Sequence, residues 1–322
     1  MSLTLVPCSN PSLWDAFVAA SPQGSVFCRT AFLDALGAEY DLWFVEENGS
    51  PQAGAVILKR DGEPLLAPHT FTMYQGVLFA ADGCAALPHR RAKWMLEVSE
   101  TLVSQLAERY SRLSFCLHHA VDDLRGLQWF HYHEPHLGQF AITLAYTGLI
   151  DLTAVPGFDA YLATVRKTRR YEYRQAQERG VTAELSSDIE ALDRLHQRTF
   201  ERQQIERGGA EARLVHSITA AALRHGFGEL LLCREASGAP ASATLFLYDE
   251  RCAYYLFGAN DPAHRGLNSG TFLFLENVRR CFERGTPLVD VVGINSPNRG
   301  DFKTSFNAAP KPYFAATWER PV

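Results

Sequence analysis

One order of elements occurs twice in this chain, and that repetition restricts its possible folds more than any single motif. Residues 42–46 and 53–58 read as strands around the turn Asn48-Gly49-Ser50-Pro51, and a further strand is expected over 71–79. The segment 90–110 then sets Met95, Val98, Leu102 and Leu106 on one helical face before a strand at 113–117. Much later the order returns. Strands are expected at 229–234, 241–248 and 252–257, a helix at 269–284 and a strand at 288–292. Residues 44–55 and 231–243 also share an acid, a glycine, a proline and small residues in nearly the same order. A weak internal duplication is the economical explanation, because a hairpin followed by a helix that feeds a strand is one supersecondary unit used twice.

The expected fold is therefore α/β (α+β): two tandem domains, each a mixed, mostly antiparallel sheet flanked by helices. The domains are expected at 1–150 and 151–322, joined near 148–157, where Gly148, Pro156 and Gly157 punctuate the chain, with the last residues able to pack back on the first domain. A length of 322 residues, 47% of them apolar, suits two domains of ordinary size.

Charge and cysteine usage exclude several function classes. A formal charge of −5 argues against a generally basic nucleic-acid binder, so any RNA contact must be a local patch. The seven cysteines are scattered and never form C-x-x-C, which suggests neither a disulfide framework nor a thiolate zinc site and fits a reducing cytoplasm. The first eight residues have no basic or sustained apolar stretch, and no apolar run approaches a membrane span, so neither export nor an anchor is expected.

A helical insert lies between the two repeats. Phe158, Tyr161, Leu162 and Val165 form its apolar stripe, after which Arg166, Lys167, Arg169, Arg170, Arg174 and Arg179 face only Glu172 and Glu178. Steps of four bring Arg166, Arg170 and Arg174 to one face. Such a face either holds several phosphates, with Tyr171 and Tyr173 for stacking, or is simply solvated. Two helices follow, over about 188–206 and 213–225, separated at Gly208-Gly209.

The richest chemistry falls at 290–306. A strand there empties into a loop in which Asn295, Ser296, Asn298, Arg299, Asp301 and Lys303 supply donors and acceptors, with Phe302 and Phe306 on either side of the lysine. Lys303 reads as a stabiliser of negative charge developing on a carbonyl, or as one half of an ion pair with Asp301 or Asp290. The loop Arg265-Gly266-Leu267-Asn268-Ser269-Gly270 is an anion site or a plain helix start. His131, His133, Glu134 and His136 cluster without the spacing of a helical ligand pair, and no metal site is assigned to them. Neither a G-x-S-x-G elbow, a Walker loop nor a dinucleotide fingerprint is present.

Taken in order, Lys167, Arg170, Tyr171, Arg174, Ala176 and Gly180, then Thr199-Phe200-Glu201-Arg202, Phe257-Gly258-Ala259, and Asp290-x-x-Gly293 followed by Phe302-Lys303-x-x-Phe306 resemble the Fem ligases and related acyltransferases built of two GNAT-type domains. The resemblance implies amide formation: an aminoacyl group passes from aminoacyl-tRNA, a co-substrate rather than a bound cofactor, to an amine of a peptide, a peptide-containing metabolite or a cell-wall precursor. It also implies that Lys303 assists the carbonyl beside Phe302. For the general base the residues themselves offer Asp301, Asp290 or Tyr255, or else a group of the substrate. Arg202 or Arg207 would hold an acceptor phosphate or carboxylate, and Arg166, Lys167, Arg170 and Arg174 the tRNA. A GNAT enzyme using acyl-CoA carries glycine where Asn268 stands, which tilts the reading toward tRNA. An acyl-CoA N-acyltransferase and a non-catalytic RNA- or protein-binding module are the alternatives.

Overall fold

The computed structural model describes residues 2–66, 69–202, 208–235 and 238–321. Its first elements are β1 (Leu3–Pro7), α1 (Pro11–Ala20), α2 (Thr30–Ala35), β2 (Glu39–Glu47), β3 (Ser50–Arg60), β4 (Glu63–Pro64), β5 (Val77–Phe79), α3 (Ala81–Cys84), α4 (Pro88–Arg109), β6 (Arg112–Cys116) and α5 (Arg125–Gln128). There follow β7 (Ala141–Asp151), α6 (Phe158–Thr164), α7 (Lys167–Glu178), β8 (Thr182–Ser186), α8 (Ile189–Arg202) and α9 (Gly209–His225). The chain ends with β9 (Gly228–Arg234), β10 (Pro240–Tyr248), β11 (Cys252–Asn260), α10 (Ser269–Arg284), β12 (Leu288–Asp290), α11 (Pro297–Thr304) and β13 (Ala309–Glu319).

Two units result. One comprises Met1–Ala145 with Pro312–Val322, the other Tyr146–Lys311. In the first, β1, β2, β3 and β4 are ordered neighbours, β5 pairs with β3, and β6 pairs antiparallel with β13. Helix α4 covers this layer because Met95, Val98, Leu102 and Leu106 point one way, and all four are buried against Val45, Ile57 and Phe115. In the second unit the strand order is β7-β12-β11-β10-β9-β8. Its helix α10 is apolar on one face and buries Leu273, Phe274, Val278 and Cys281 against the sheet residues Ala253, Tyr255 and Val289.

Residues 44–55 and 231–243 fall on the hairpins β2–β3 and β9–β10, at the same place in the order of each unit. Several boundaries differ from expectation. The strand expected over 71–79 is reduced to β5, because Phe71 turns with φ +64° and Thr72 closes a turn on His69. The junction expected near 148–157 lies partly inside β7, and the last ordered strand, β13, belongs mainly to the first unit. Val165 is extended, which breaks the basic segment into α6 and α7 and leaves Arg166 before the second helix. The loop expected after residue 293 contains α11: Ser296 is the extended N-cap residue and Pro297 occupies the first turn, where its missing N–H costs nothing.

Candidate active site

The second unit's sheet opens at its centre. β11 and β12 run parallel through Cys252↔Leu288, Ala253↔Val289 and Tyr254↔Asp290, where their pairing ends. Beyond it Val291 donates to Gly148 O at 2.9 Å and Ile294 to Tyr146 O at 3.0 Å, so the chain follows β7 while β11 continues to Asn260. At the same level β11 carries a bulge, with Leu245 opposite Phe257 and Phe246 opposite Tyr255, so that Leu256 is the extra residue. A wedge between two strands with a bulge on one side exposes backbone groups that a closed sheet would consume.

Lys303 fills the mouth of the wedge. From α11 it donates to the carbonyl oxygens of Val292 and, at 3.2 Å, Gly293, and its ammonium lies 5.5 Å from the centre of the Tyr255 ring. Burial pulls its pKa down to about 8, an effect opposed by the Asp290 charge and reinforced by Arg299. The lysine is held from behind. Phe306 is fully buried, 4.1 Å from Phe274 and 5.0 Å from Phe302 between ring centres, and Tyr161 Oη donates to its carbonyl at 2.7 Å. Gly300 admits the Ile294 carbonyl, which would lie 2.8 Å from any added Cβ.

The other residues singled out from the sequence divide into three groups. Tyr255 joins Lys303, but burial pushes its phenol up to about 12, so at neutral pH it is a donor and no base. Asp301 is paired: Arg166 grips both its oxygens at 3.0 and 2.9 Å and holds its pKa below the usual value. Asn295 is a loop anchor whose side chain accepts from Tyr146 N at 2.7 Å and donates to Tyr146 O at 3.0 Å. Ser296 and Asn298 start α11, Arg299 is exposed on it, and Arg202 ends α8. Arg207 lies outside the described residues. Phe302 carries the Arg169 guanidinium 4.7 Å above its ring.

The basic face is rearranged. Arg166 is tied to Asp301, and Arg170 turns partly inward with its Nε buried. The exposed stripe of α7 is instead Lys167, Tyr171 and Arg174, with Tyr171 61% accessible. Tyr173 is not available for stacking, because it is buried on Phe272. His131 bonds Gly138 O at 2.8 Å and stacks on Phe130, and among the described residues no group of three or more His, Cys, Asp or Glu is placed to hold a metal.

Sequence reading missed Thr147, Val292 and the reason for Gly258. An added Cβ at Gly258 would stand 1.8 Å from Tyr255 Oη and 2.6 Å from its Cζ, so the glycine makes room for the ring beneath Lys303. Gly258→Ala is therefore expected to cost the second unit about 1–3 kcal/mol in urea unfolding. Adding Tyr255→Phe is expected to restore part of it. Only Tyr255 three residues before a glycine could have signalled this.

Residues 163–304 match the family model described as acetyltransferase (GNAT) domain. No curated protein matches the sequence. Among solved structures, FemX superposes with a TM-score of 0.70 at 15% identity, over 98% of this chain and 97% of that one. A tandem GNAT protein from the clavulanic acid biosynthesis pathway gives 0.55 at 14%, over 100% and 99%. The C-terminal domain of a putative lysylphosphatidylglycerol synthetase from Agrobacterium fabrum gives 0.53 at 13%, over 95% and 91%. Residues 163–304 therefore carry a GNAT acyltransferase domain, and the chain as a whole has the fold of the tandem GNAT structures. Within that class its fold is Fem-like. No described helix is long and apolar enough to cross a membrane.

Proposed function

We propose that this protein forms an amide bond by moving an aminoacyl group from aminoacyl-tRNA to the amine of a peptide or peptide-containing acceptor. The observation that carries the reading is the Lys303 ammonium at the mouth of the β11–β12 wedge, on two backbone carbonyls and over Tyr255. In the reaction the neutral acceptor amine attacks the ester carbonyl, a C–N bond forms, and the oxyanion is met by Lys303. The ester C–O bond then breaks, and the departing tRNA oxygen takes the proton that the amine sheds. Tyr255 and the Arg166-bound Asp301 are poor bases, and the fully buried Asp290 is committed to Val292 N–H and the Thr147 hydroxyl, so the substrate itself supplies that acceptor.

The exposed Lys167–Tyr171–Arg174 stripe on α7 supports tRNA as donor, since it joins phosphate-binding charge to a stacking ring. One observation favours acyl-CoA instead. Asn268 adopts φ +55°, a left-handed conformation asparagine tolerates better than most residues, at the N-terminus of α10 where backbone N–H groups attract anions. The side chain there does not by itself rule out a glycine-like turn.

Titration with coenzyme A and, separately, with a charged tRNA pool at two salt concentrations decides between the donors. The expected result is salt-sensitive tRNA binding, faster loss of the aminoacyl ester and no coenzyme A binding; coenzyme A binding with indifference to tRNA overturns the reading. Replacing Lys167 and Arg174 together by glutamate is expected to flatten the dependence of log affinity on log salt by about 2.

A further inference from the structure

The turn that carries the two carbonyls under Lys303 is built on an unfavourable residue. Val292 has φ +52°, in a region where a β-branched side chain is a real outlier. Gly293, next in the chain, is also left-handed at φ +63°. Something must hold Val292 there. Asp290 is fully buried, and its Oδ1 accepts the Val292 N–H at 2.8 Å and the hydroxyl of fully buried Thr147. The carboxylate thus closes a short turn from the last residue of β12 to the amide two residues on, while β7 fixes its orientation through Thr147.

We infer that Asp290 is a positioning residue of the active site: by clamping Val292 in the left-handed conformation it aims the Val292 and Gly293 carbonyls at Lys303 and fixes the ammonium in the wedge. The inference rests on the proposed role of Lys303 and assigns Asp290 no contact with substrate. Its charge also favours the protonated lysine, so the two effects have to be separated. Asparagine at 290 keeps the acceptor for both bonds and loses the charge; alanine loses both. Glycine at 292 adopts the turn without a clamp.

Two readouts test this: single-turnover loss of aminoacyl ester from a charged tRNA pool, and acetylation of Lys303 by acetic anhydride followed by mass spectrometry, which needs no donor. Asp290→Ala is expected to slow turnover 10- to 100-fold, in line with loss of a supporting shell, and to speed Lys303 labelling. Asp290→Asn is expected to fall by much less. Adding Val292→Gly to Asp290→Ala is expected to recover most of the turnover and the slow labelling. Should Asp290→Ala not fold, Thr147→Val is expected to move labelling the same way by a smaller factor. Equal loss in Asp290→Asn and Asp290→Ala without rescue by Val292→Gly, or no change in labelling, overturns the inference. If Lys303→Met keeps full turnover while the labelling pattern holds, the role of Lys303 fails and the clamp stands.

Discussion

Lys303→Met is expected to lower single-turnover rate by on the order of 100- to 1,000-fold, with binding of the charged tRNA pool retained. An ammonium aimed at a developing oxyanion acts mainly in the transition state, so its loss falls on the rate of the bound complex. The pH dependence gives an independent check. With a pKa brought down to about 8 by burial, Lys303 carries its proton below that value and loses it above. Oxyanion stabilisation needs the protonated form, so the wild-type rate is expected to fall as pH rises through about 8, and the methionine variant to lack that limb. Stability runs the other way. In the unfolded chain the lysine keeps its ordinary pKa of 10.5, so the folded form, with the lower value, gains stability as pH climbs from about 8 to 10.5. That gain is expected to vanish in Lys303→Met, measured as the pH dependence of the urea midpoint.

The two units differ where it matters for this chemistry. In the first, Gln75 and Cys116 exchange backbone hydrogen bonds at 2.9 and 2.6 Å, and Gln75 Nε2 adds a bond to Val56 O at 3.0 Å. The region between β5 and β6 is thereby stitched. In the second, no ladder pair between β11 and β12 follows Tyr254↔Asp290, and Lys303 occupies the gap. The neighbour order β1-β2-β3 of the first unit recurs as β8-β9-β10 in the second, whereas the open wedge with a charged group belongs to the second unit.

Hairpins and the long helices α4 and α10 were legible because periods of two and of three to four residues report burial directly. Lys303 stood out in the sequence because it lies between two phenylalanines in a polar loop, although the same residues also allowed an ion pair with Asp301 or Asp290. What stayed hidden depends on tertiary geometry. The left-handed turn at Val292 contradicts the preference of its residue type and exists only because Asp290 and Thr147, 143 positions apart in sequence, meet. Helix α11 was masked by Gly300 and Pro297, which read as turn formers although one sits in the first turn and the other beneath the Ile294 carbonyl. The basic face was misjudged for a related reason: a step of four identifies neighbours on an ideal helix, and the break at Val165 removed Arg166 from it.

Phe306→Ala is expected to be the most destabilising single change at the site, costing the second unit about 3–5 kcal/mol. The ring is fully buried between Phe274 and Phe302, and its removal opens a cavity in the core that also supports Tyr161 and Tyr255. Collapse of that cavity is resisted by the Tyr161 hydroxyl, which holds the Phe306 carbonyl at 2.7 Å and keeps the backbone in place. The molecule offers a convenient way to locate the damage. All five tryptophans, Trp14, Trp43, Trp94, Trp129 and Trp318, lie in the first unit, so their fluorescence reads that unit alone, while far-ultraviolet circular dichroism reads both. In urea the alanine variant is expected to lower the midpoint of the dichroism change assigned to the second unit, and Phe306→Leu to lower it by much less because most of the volume is kept. A dichroism midpoint unchanged in Phe306→Ala would mean that α11 is not anchored through this ring, and the rigid placement of Lys303 would then have to come from the Val292 and Gly293 carbonyls alone.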